Sequence, residues 1–192
     1  MSFHWNSHYK LKDKHAILGA SNYHWLNYDE DKLREAYGRM KLKERGTRMH
    51  ALAAELIDLR IKMPDNDITF NRYVNDGIAF RMDTEQILYY SEFCFGTADT
   101  ICFRKNKLRI HDLKTGAIPA SMRQLEIYAA LFCLEYDFRP GDIDIELRLY
   151  QNDEIAGEGQ LVPPEIIVPI MDKIKTNTKI LQSLGADIYE FS

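Results

Sequence analysis

The chain has 192 residues, of which 45% are hydrophobic, 11% aromatic and 28% charged, and its formal net charge is −4. This length and balance predict one folded globular domain and exclude a disordered, collagenous or coiled-coil chain. Apolar runs fall short of the roughly 20 residues that span a membrane, and the start of the chain lacks a secretory core, so we expect no membrane partner and a cytoplasmic location. Three widely spaced cysteines fit neither a disulfide framework nor a structural zinc site.

The charges are unevenly distributed along the chain. The net negative charge alone argues against a protein that coats itself on nucleic acid. Between residues 39 and 48, however, five basic residues accompany a single acid, Glu44, and between residues 100 and 125 six accompany a single acid, Asp112. Acids dominate between residues 135 and 159. Any one of these runs taken alone is typical of a solvated face.

The apolar pattern changes along the chain from a helical to a strand-like period. The first of the expected helices can be capped by Asp29 or Asp31. In order, we expect helices over residues 29–43, 47–61 and 68–82, strands over 87–93, 97–104 and 107–113, a helix over 122–138, a strand over 143–149 and a helix over 163–185. This order predicts an α/β fold with a mixed central β-sheet flanked by helices.

A tight hairpin is predicted in the middle of the chain, with Lys105 and Asn106 as a two-residue turn. Because strand side chains alternate, this register places four facing pairs on one side of the sheet. The pairs are Phe103 with Leu108, Ile101 with Ile110, Asp99 with Asp112 and Thr97 with Lys114. Two carboxylates and a lysine therefore follow the apolar pairs on the same face of the hairpin.

The two opposed carboxylates favour a bound cation. Directly opposed Cβ atoms lie about 5 Å apart, so Asp99 and Asp112 are close enough to share one cation and repel each other without it. Oxygen ligands suit Mg²⁺ or Mn²⁺ better than zinc. On the same face, Lys114 is placed to orient a water or to offset charge on a phosphate. The alternative is an exposed surface ion pair, worth about 0–1 kcal/mol and without function.

Four short motifs follow one another along the chain. They are Gly46-Thr47-Arg48-Met49-His50, Gly96-Thr97-Ala98-Asp99, Asp112-Leu113-Lys114-Thr115-Gly116 and Gln124-Leu125-Glu126-Ile127-Tyr128. This ordered set resembles the PD-(D/E)xK nuclease superfamily, and within it the RecB-like exonuclease branch of phage and CRISPR-associated type. Residues 18–25 are also similar to the leucine, serine and tryptophan pattern that often begins these domains, so the resemblance covers residues 18–138.

The resemblance implies a fold and a set of site residues. The fold is a restriction-endonuclease-like core within a single nuclease domain over residues 1–192, whose last strand and helix occupy residues 142–185. The implied ligands of Mg²⁺ or Mn²⁺ are His50, Asp99, Asp112 and the carbonyl of Leu113. The implied catalytic residues are Asp99, Asp112, Lys114, Gln124 and Tyr128. Independently, helix residues four apart share a face, so the last two project together; a partly buried polar pair that packs the helix on the sheet is the alternative.

The resemblance and the basic residues also set expectations for cofactors and partners. Some iron–sulfur members of this branch carry clustered cysteines near the C-terminus, but no cysteine follows Cys133, so we expect no cluster. DNA is the expected partner, and a homo-oligomer or a recombination partner protein stays open. The candidate phosphate contacts are Arg45, Arg48, Lys105, Lys107 and Arg123.

The sequence therefore predicts a metal-dependent deoxyribonuclease, and more specifically an exonuclease in DNA recombination, DNA repair or phage DNA processing. Two alternatives stay open. One is a structure-specific or sequence-specific endonuclease with the same site. The other is a catalytically silent nuclease-like module that binds DNA or a protein. Strand alternation points His111 to the sheet face opposite Asp112, so we do not expect it among the ligands.

Overall fold

The computed structural model describes residues 17–18 and 23–184. The chain divides into two units, one that ends at Arg45 and one that begins at Gly46. In the first unit, a 3-10 helix over Tyr23–Asn27 precedes the start of helix α1 (Glu30–Asp58). The backbone N–H of Lys32 donates to Oδ1 of Asp29 at 2.8 Å, so Asp29 is the helix cap. Parts of the predicted leucine, serine and tryptophan segment, residues 19–22, and residue 185 lie outside the described residues.

Helix α1 is a single helix of 29 residues, although the sequence predicts two helices separated near Gly46. Glycine lowers helix stability by about 1 kcal/mol relative to alanine, which is too little to end a helix whose neighbours are strong helix formers. Among the described residues, no helix, α1 included, is both long and apolar enough to cross a membrane.

The second unit contains a five-stranded mixed sheet, which confirms the predicted α/β class with helices on both sides. The strand order is β1-β2-β3-β4-β5; β3 and β4 run parallel, and the other neighbours are antiparallel. In chain order the elements after α1 are α2 (Thr69–Ala79), β1 (Asp83–Ser91), β2 (Cys94–Arg104), β3 (Lys107–Leu113), α3 (Arg123–Glu135), a 3-10 helix (Pro140–Asp142), β4 (Asp144–Gln151), β5 (Glu154–Ala156) and α4 (Pro164–Ser183). The short strand β5 has no counterpart in the sequence prediction.

The hairpin between β2 and β3 has the predicted turn. Lys105 and Asn106 have φ angles of 51° and 60°, as a two-residue hairpin turn requires. The predicted pairs Ile101 with Ile110 and Phe103 with Leu108 are present. The ladder ends at Thr100 and His111, so the predicted pairs of Asp99 with Asp112 and of Thr97 with Lys114 are not part of it. Beyond that point Thr97 pairs with Ile87 of β1, and the N–H of Lys114 donates to the carbonyl of Tyr150 in β4.

Two apolar clusters hold the helices on the sheet. One joins α3 and α4 to the sheet and includes Ile110, Ala129, Leu147 and Ile167. The other joins the end of α1 and α2 to the sheet and includes Ala53, Val74, Leu113 and Tyr150. Strand β3 contributes to both clusters because its side chains alternate between the two faces. Its carboxyl end therefore lies between the helix layers, where side chains from both can meet.

Candidate active site

The carboxyl end of β3 brings together all six side chains that the motifs single out, in two hydrogen-bonded groups. His50 comes from α1, Asp99 from β2, Asp112 from the end of β3, Lys114 from the residue just past it, and Gln124 and Tyr128 from α3. One group joins the histidine to Asp99, and the other runs from Asp112 through the lysine into α3.

The first group is the pair formed by His50 and Asp99. Nδ1 of His50 lies 3.1 Å from Oδ2 of Asp99, and both side chains are partly buried. The hydrogen bond to Asp99 raises the pKa of His50 above its usual value; burial opposes this shift, and the negative charges of Asp99 and Asp112 reinforce it. The same Asp99 oxygen accepts a long hydrogen bond of 3.4 Å from the backbone N–H of Leu113. Asp99 is thereby tied to the end of β3.

The second group is a chain of hydrogen bonds that starts at Lys114. Its ammonium donates to Oδ1 of Asp112 at 3.0 Å and to Oε1 of Gln124 at 2.9 Å. The amide nitrogen of Gln124 in turn donates to the hydroxyl of Tyr128 at 2.9 Å. Because Gln124 and Tyr128 are one helical turn apart on α3, the helix fixes the position of the lysine head group.

Asp112 is the most deeply buried charged group of the site, with 1% of its surface exposed. Burial raises the pKa of this carboxyl, the charge of Asp99 raises it further, and the hydrogen bond and charge of Lys114 oppose the rise. Its Oδ2 atom lies 2.9 Å from Nζ of Lys114 but accepts no hydrogen bond of good geometry from any described residue. A buried carboxylate oxygen without a donor is costly, and a cation relieves that cost.

Two motif glycines lie where a side chain would collide with another part of the site. A Cβ atom on Gly96 would come within 2.9 Å of the ring of Tyr128, and one on Gly46 within 2.9 Å of Oγ1 of Thr115. Gly96 therefore lets α3 approach β2, and Gly46 lets α1 approach the loop after β3. These contacts give both glycines a packing role, which the sequence alone does not show.

A cleft of about 540 Å³ lies beside the first group. It is lined by Gly46, Thr47, His50, Ala51, Ala54, Glu85 and Asp99. The small residues of α1 leave space in front of the polar side chains. The acid Glu85 was missed by the sequence motifs. It has a φ of 50° and lies opposite Asp99, because the pairs on either side, Thr84 with Thr100 and Gln86 with Ala98, are in the same register.

His111 lies away from the site. It is fully buried, its ring meets Phe80 edge-on, and its Nδ1 lies 3.3 Å from the hydroxyl of Tyr150. Burial, reinforced by the charge of Arg148, lowers its pKa to about 3. It therefore packs as a neutral ring against the α2 layer.

The predicted DNA contacts come from separate elements of the chain. Arg48 lies two residues before His50 on α1, and Arg45 belongs to the first unit. Arg123 begins α3, and its guanidinium lies 2.9 Å from Glu126. Lys105 and Lys107 lie at the other end of β3 from Lys114, roughly 20 Å away at the rise of an extended strand.

The donor set fits a hard divalent cation in its chemistry. It offers two carboxylates, one of them with a buried oxygen that lacks a donor, together with an imidazole and a backbone carbonyl. Within residues 17–18 and 23–184, no three His, Cys, Asp or Glu side chains form a preassembled metal cluster. The present partners of the two carboxylates are instead His50 and Lys114.

Comparison with known proteins finds no match. No family model matches the chain, no curated protein matches it in sequence, and no solved structure matches its fold. The resemblance to PD-(D/E)xK nucleases therefore depends on the four motifs, and the case for a function depends on the geometry of the site.

Proposed function

We propose that the protein is a Mg²⁺- or Mn²⁺-dependent deoxyribonuclease of the PD-(D/E)xK type, acting as an exonuclease on cytoplasmic DNA. The observation that carries the proposal is the position of Lys114. Its ammonium is held between the buried carboxylate of Asp112 and the amide of Gln124. The second carboxylate, Asp99, accepts a hydrogen bond from the backbone N–H of the preceding residue, Leu113. Two acids and an oriented cation are the groups that phosphodiester hydrolysis requires.

The burial of Asp112 argues against a surface ion pair. An exposed lysine–aspartate pair gains about 0–1 kcal/mol and needs no further support. Here the carboxylate is 1% exposed, and its lysine partner is held by a glutamine that is itself held by a tyrosine. Burial of a charge costs desolvation free energy, which an ion pair on the surface avoids. An ammonium held in one orientation is what a catalytic lysine needs in order to contact its substrate.

His50, Asp99, Asp112 and the Leu113 carbonyl are the groups that would hold the metal. When bound, a divalent cation of this kind polarises the scissile phosphate and lowers the pKa of a coordinated water. Lys114 orients the attacking water and offsets the negative charge that develops on the phosphate. Gln124 and Tyr128 keep the ammonium in that position, so the lysine loses little conformational entropy when DNA binds.

The test is degradation of end-labelled linear DNA with Mg²⁺ or Mn²⁺. We expect wild-type protein to release nucleotides, and Lys114→Ala and Asp112→Ala to lose this activity. Lys175→Ala, at an exposed position of α4, is the matched control and keeps it. Failure of the wild type to degrade any DNA with either metal, or full activity in the two site variants, would refute the mechanism.

The alternatives predict different outcomes of related measurements. Covalently closed circular DNA resists an exonuclease and is cut by an endonuclease with the same site. A catalytically silent DNA-binding or protein-binding module would show no metal-dependent cleavage and no heat of Mn²⁺ binding in calorimetry. We expect Mn²⁺ binding in the wild type that is weakened in Asp112→Asn, because that variant removes a carboxylate ligand.

A further inference from the structure

A basic groove lies at the opposite end of the β2–β3 hairpin from the candidate active site. It has a volume of about 830 Å³ and contains five basic residues and one acid, namely Arg81, Arg104, Lys105, Lys107, Arg109 and Asp144. The whole chain has a net charge of −4, so this local excess of positive charge is unusual for the protein. We call these six residues the basic groove.

The charges at the rim of the basic groove are available to a ligand. Arg104 and Lys105 are exposed, and among the residues that the structure describes no carboxylate lies within 4.0 Å of the charged groups of Arg81, Arg104 or Lys105. The guanidinium of Arg104 donates to the backbone carbonyl of Arg81 at 3.4 Å. This contact joins the end of β2 to the segment after α2, so cations from separate segments share one surface.

The floor of the basic groove keeps a positive excess. Lys107 and Arg109 both approach the buried carboxylate of Glu146, with nitrogen–oxygen distances of 2.6 and 3.4 Å. Arg148 approaches the same carboxylate from the other side at 2.5 Å. Arg148 also lies 3.1 Å from Asp76 and 3.2 Å from Glu158, so its charge is balanced elsewhere. Lys107 and Arg109 share the single carboxylate of Glu146. The guanidinium of Arg109 lies 4.6 Å from the ring centre of Phe80, which holds it in a fixed orientation.

We propose that the basic groove binds the phosphodiester backbone of a DNA strand whose end lies in the candidate active site. The proposal rests on the proposed function and extends it to a second contact region. Cations from three segments surround a groove that is larger than a single phosphate needs, which favours a ligand with several phosphates. Lys107 and Lys114 lie roughly 20 Å apart along β3, which is buried, so a strand that passes over the surface from one to the other spans at least about six stacked nucleotide steps.

The experiment measures DNA binding in EDTA, so that hydrolysis plays no part. Fluorescence anisotropy with a labelled 20-nucleotide single strand is recorded over a range of salt concentrations for three proteins. They are the wild type, Arg104→Gln/Lys105→Gln, and the control Lys175→Gln/Lys179→Gln, which removes the same charge from exposed positions on α4. We expect the groove variant to bind about tenfold more weakly and to lose about 1.4 from the salt slope, at about 0.7 per phosphate contact. The control should match the wild type.

A single substitution distinguishes loss of charge from a folding defect in the groove variant. Lys105 has a φ of 51°, which asparagine also tolerates, so Lys105→Asn removes one charge and keeps the turn. We expect the salt slope of this variant to be smaller than that of the wild type by about 0.7, which is half of the effect of the double substitution. A groove variant and a Lys105→Asn variant that both bind DNA like the control would overturn the proposal.

Competition experiments identify the kind of anion that the groove prefers. Inorganic phosphate that displaces DNA at equal phosphate concentration would indicate a small-anion site, and poly-glutamate that displaces it at equal charge would indicate an acidic peptide site. Either result contradicts a DNA contact. The two proposals fail separately: absence of cleavage with Mg²⁺ and Mn²⁺ speaks against the nuclease, whereas binding that is insensitive to Arg104 and Lys105 speaks against the groove.

Discussion

The ammonium of Lys114 lies 3.0 Å from Oδ1 of Asp112, and it is the cation that accompanies this 1% exposed carboxylate. In Lys114→Met the carboxylate stays buried without its cation. We expect a loss of about 1–3 kcal/mol in the free energy of unfolding and at least about a 100-fold loss of DNA hydrolysis. Urea denaturation and a nuclease assay measure the two effects.

The double variant Asp112→Asn/Lys114→Met separates stability from activity. Since it removes both charges, it should recover most of the lost stability and none of the activity. If the double variant is as unstable as the sum of the two single variants, the two side chains are not energetically coupled and the interpretation of Asp112 is wrong.

Gly96 lies against the ring of Tyr128, and a Cβ atom there would lie 2.9 Å from Cε1 of that ring. Gly96→Ala should therefore push the ring away and cost about 1–3 kcal/mol of stability, as overpacking does. Gly116→Ala is the matched control, because open space surrounds that position; we expect a change within about 1 kcal/mol. Thermal denaturation of both variants tests this, and in a double-mutant cycle Tyr128→Ala should relieve the defect.

Much of the fold follows from local sequence signals. The turn at Lys105 and Asn106 and the bounds of β3 depend on chain geometry and apolar period, and both are as predicted. Helices α2, α3 and α4 lie within three residues of their predicted bounds, whereas the two helices predicted before them form the single helix α1. Strand β1 begins at Asp83, four residues before the predicted start, because its first residues are polar and gain strand structure only by pairing with β2. The three-residue strand β5 is too short for any periodic pattern.

The candidate site was predictable in its residues and less so in its contacts. The hairpin register indicated that Asp99 and Asp112 lie near each other, but it placed them in a ladder that ends one pair earlier. Tertiary contacts decide the rest. Only the packing of α3 on the sheet brings Gln124 to Lys114. Only the pairing of β1 with β2 places Glu85 opposite Asp99 at the cleft, and no motif spacing encodes that pairing.

Glu146 makes the stability of the protein depend on acid pH. Burial opposes its ionisation, but hydrogen bonds from Lys107 and Arg148 prevail and lower its pKa to about 2. A glutamate in an unfolded chain has a pKa of about 4.3, so this carboxylate stabilises the fold fully above that pH and loses its contribution as the pH falls towards 2. We expect up to about 3 kcal/mol of stability to disappear across this window.

The variant Glu146→Gln tests this dependence. At neutral pH it should be less stable by about 3 kcal/mol, because three cations lose a buried partner. Between pH 4.3 and 2 its stability should fall less steeply than that of the wild type. Glu92→Gln, in the exposed turn between β1 and β2, serves as the control. Parallel pH profiles of the Glu146 variant and the wild type in urea denaturation would contradict the assignment.

The hydroxyl of Tyr128 accepts a hydrogen bond from Gln124, which in turn accepts one from Lys114. Substitutions of Tyr128 and Gln124 measure how much each contact contributes to the position of the lysine. Tyr128→Phe keeps the ring against Gly96 and removes only the 2.9 Å hydrogen bond to Gln124. We expect a stability change within about 1 kcal/mol and a single-turnover rate of DNA hydrolysis that is about tenfold lower, because the glutamine is less firmly oriented. Gln124→Ala removes the direct contact with the ammonium and should lower the rate further, while Lys114→Ala should be the slowest of the three. If both α3 variants hydrolyse DNA at the wild-type rate, Lys114 is positioned by Asp112 alone and the hydrogen-bond chain has only a packing role.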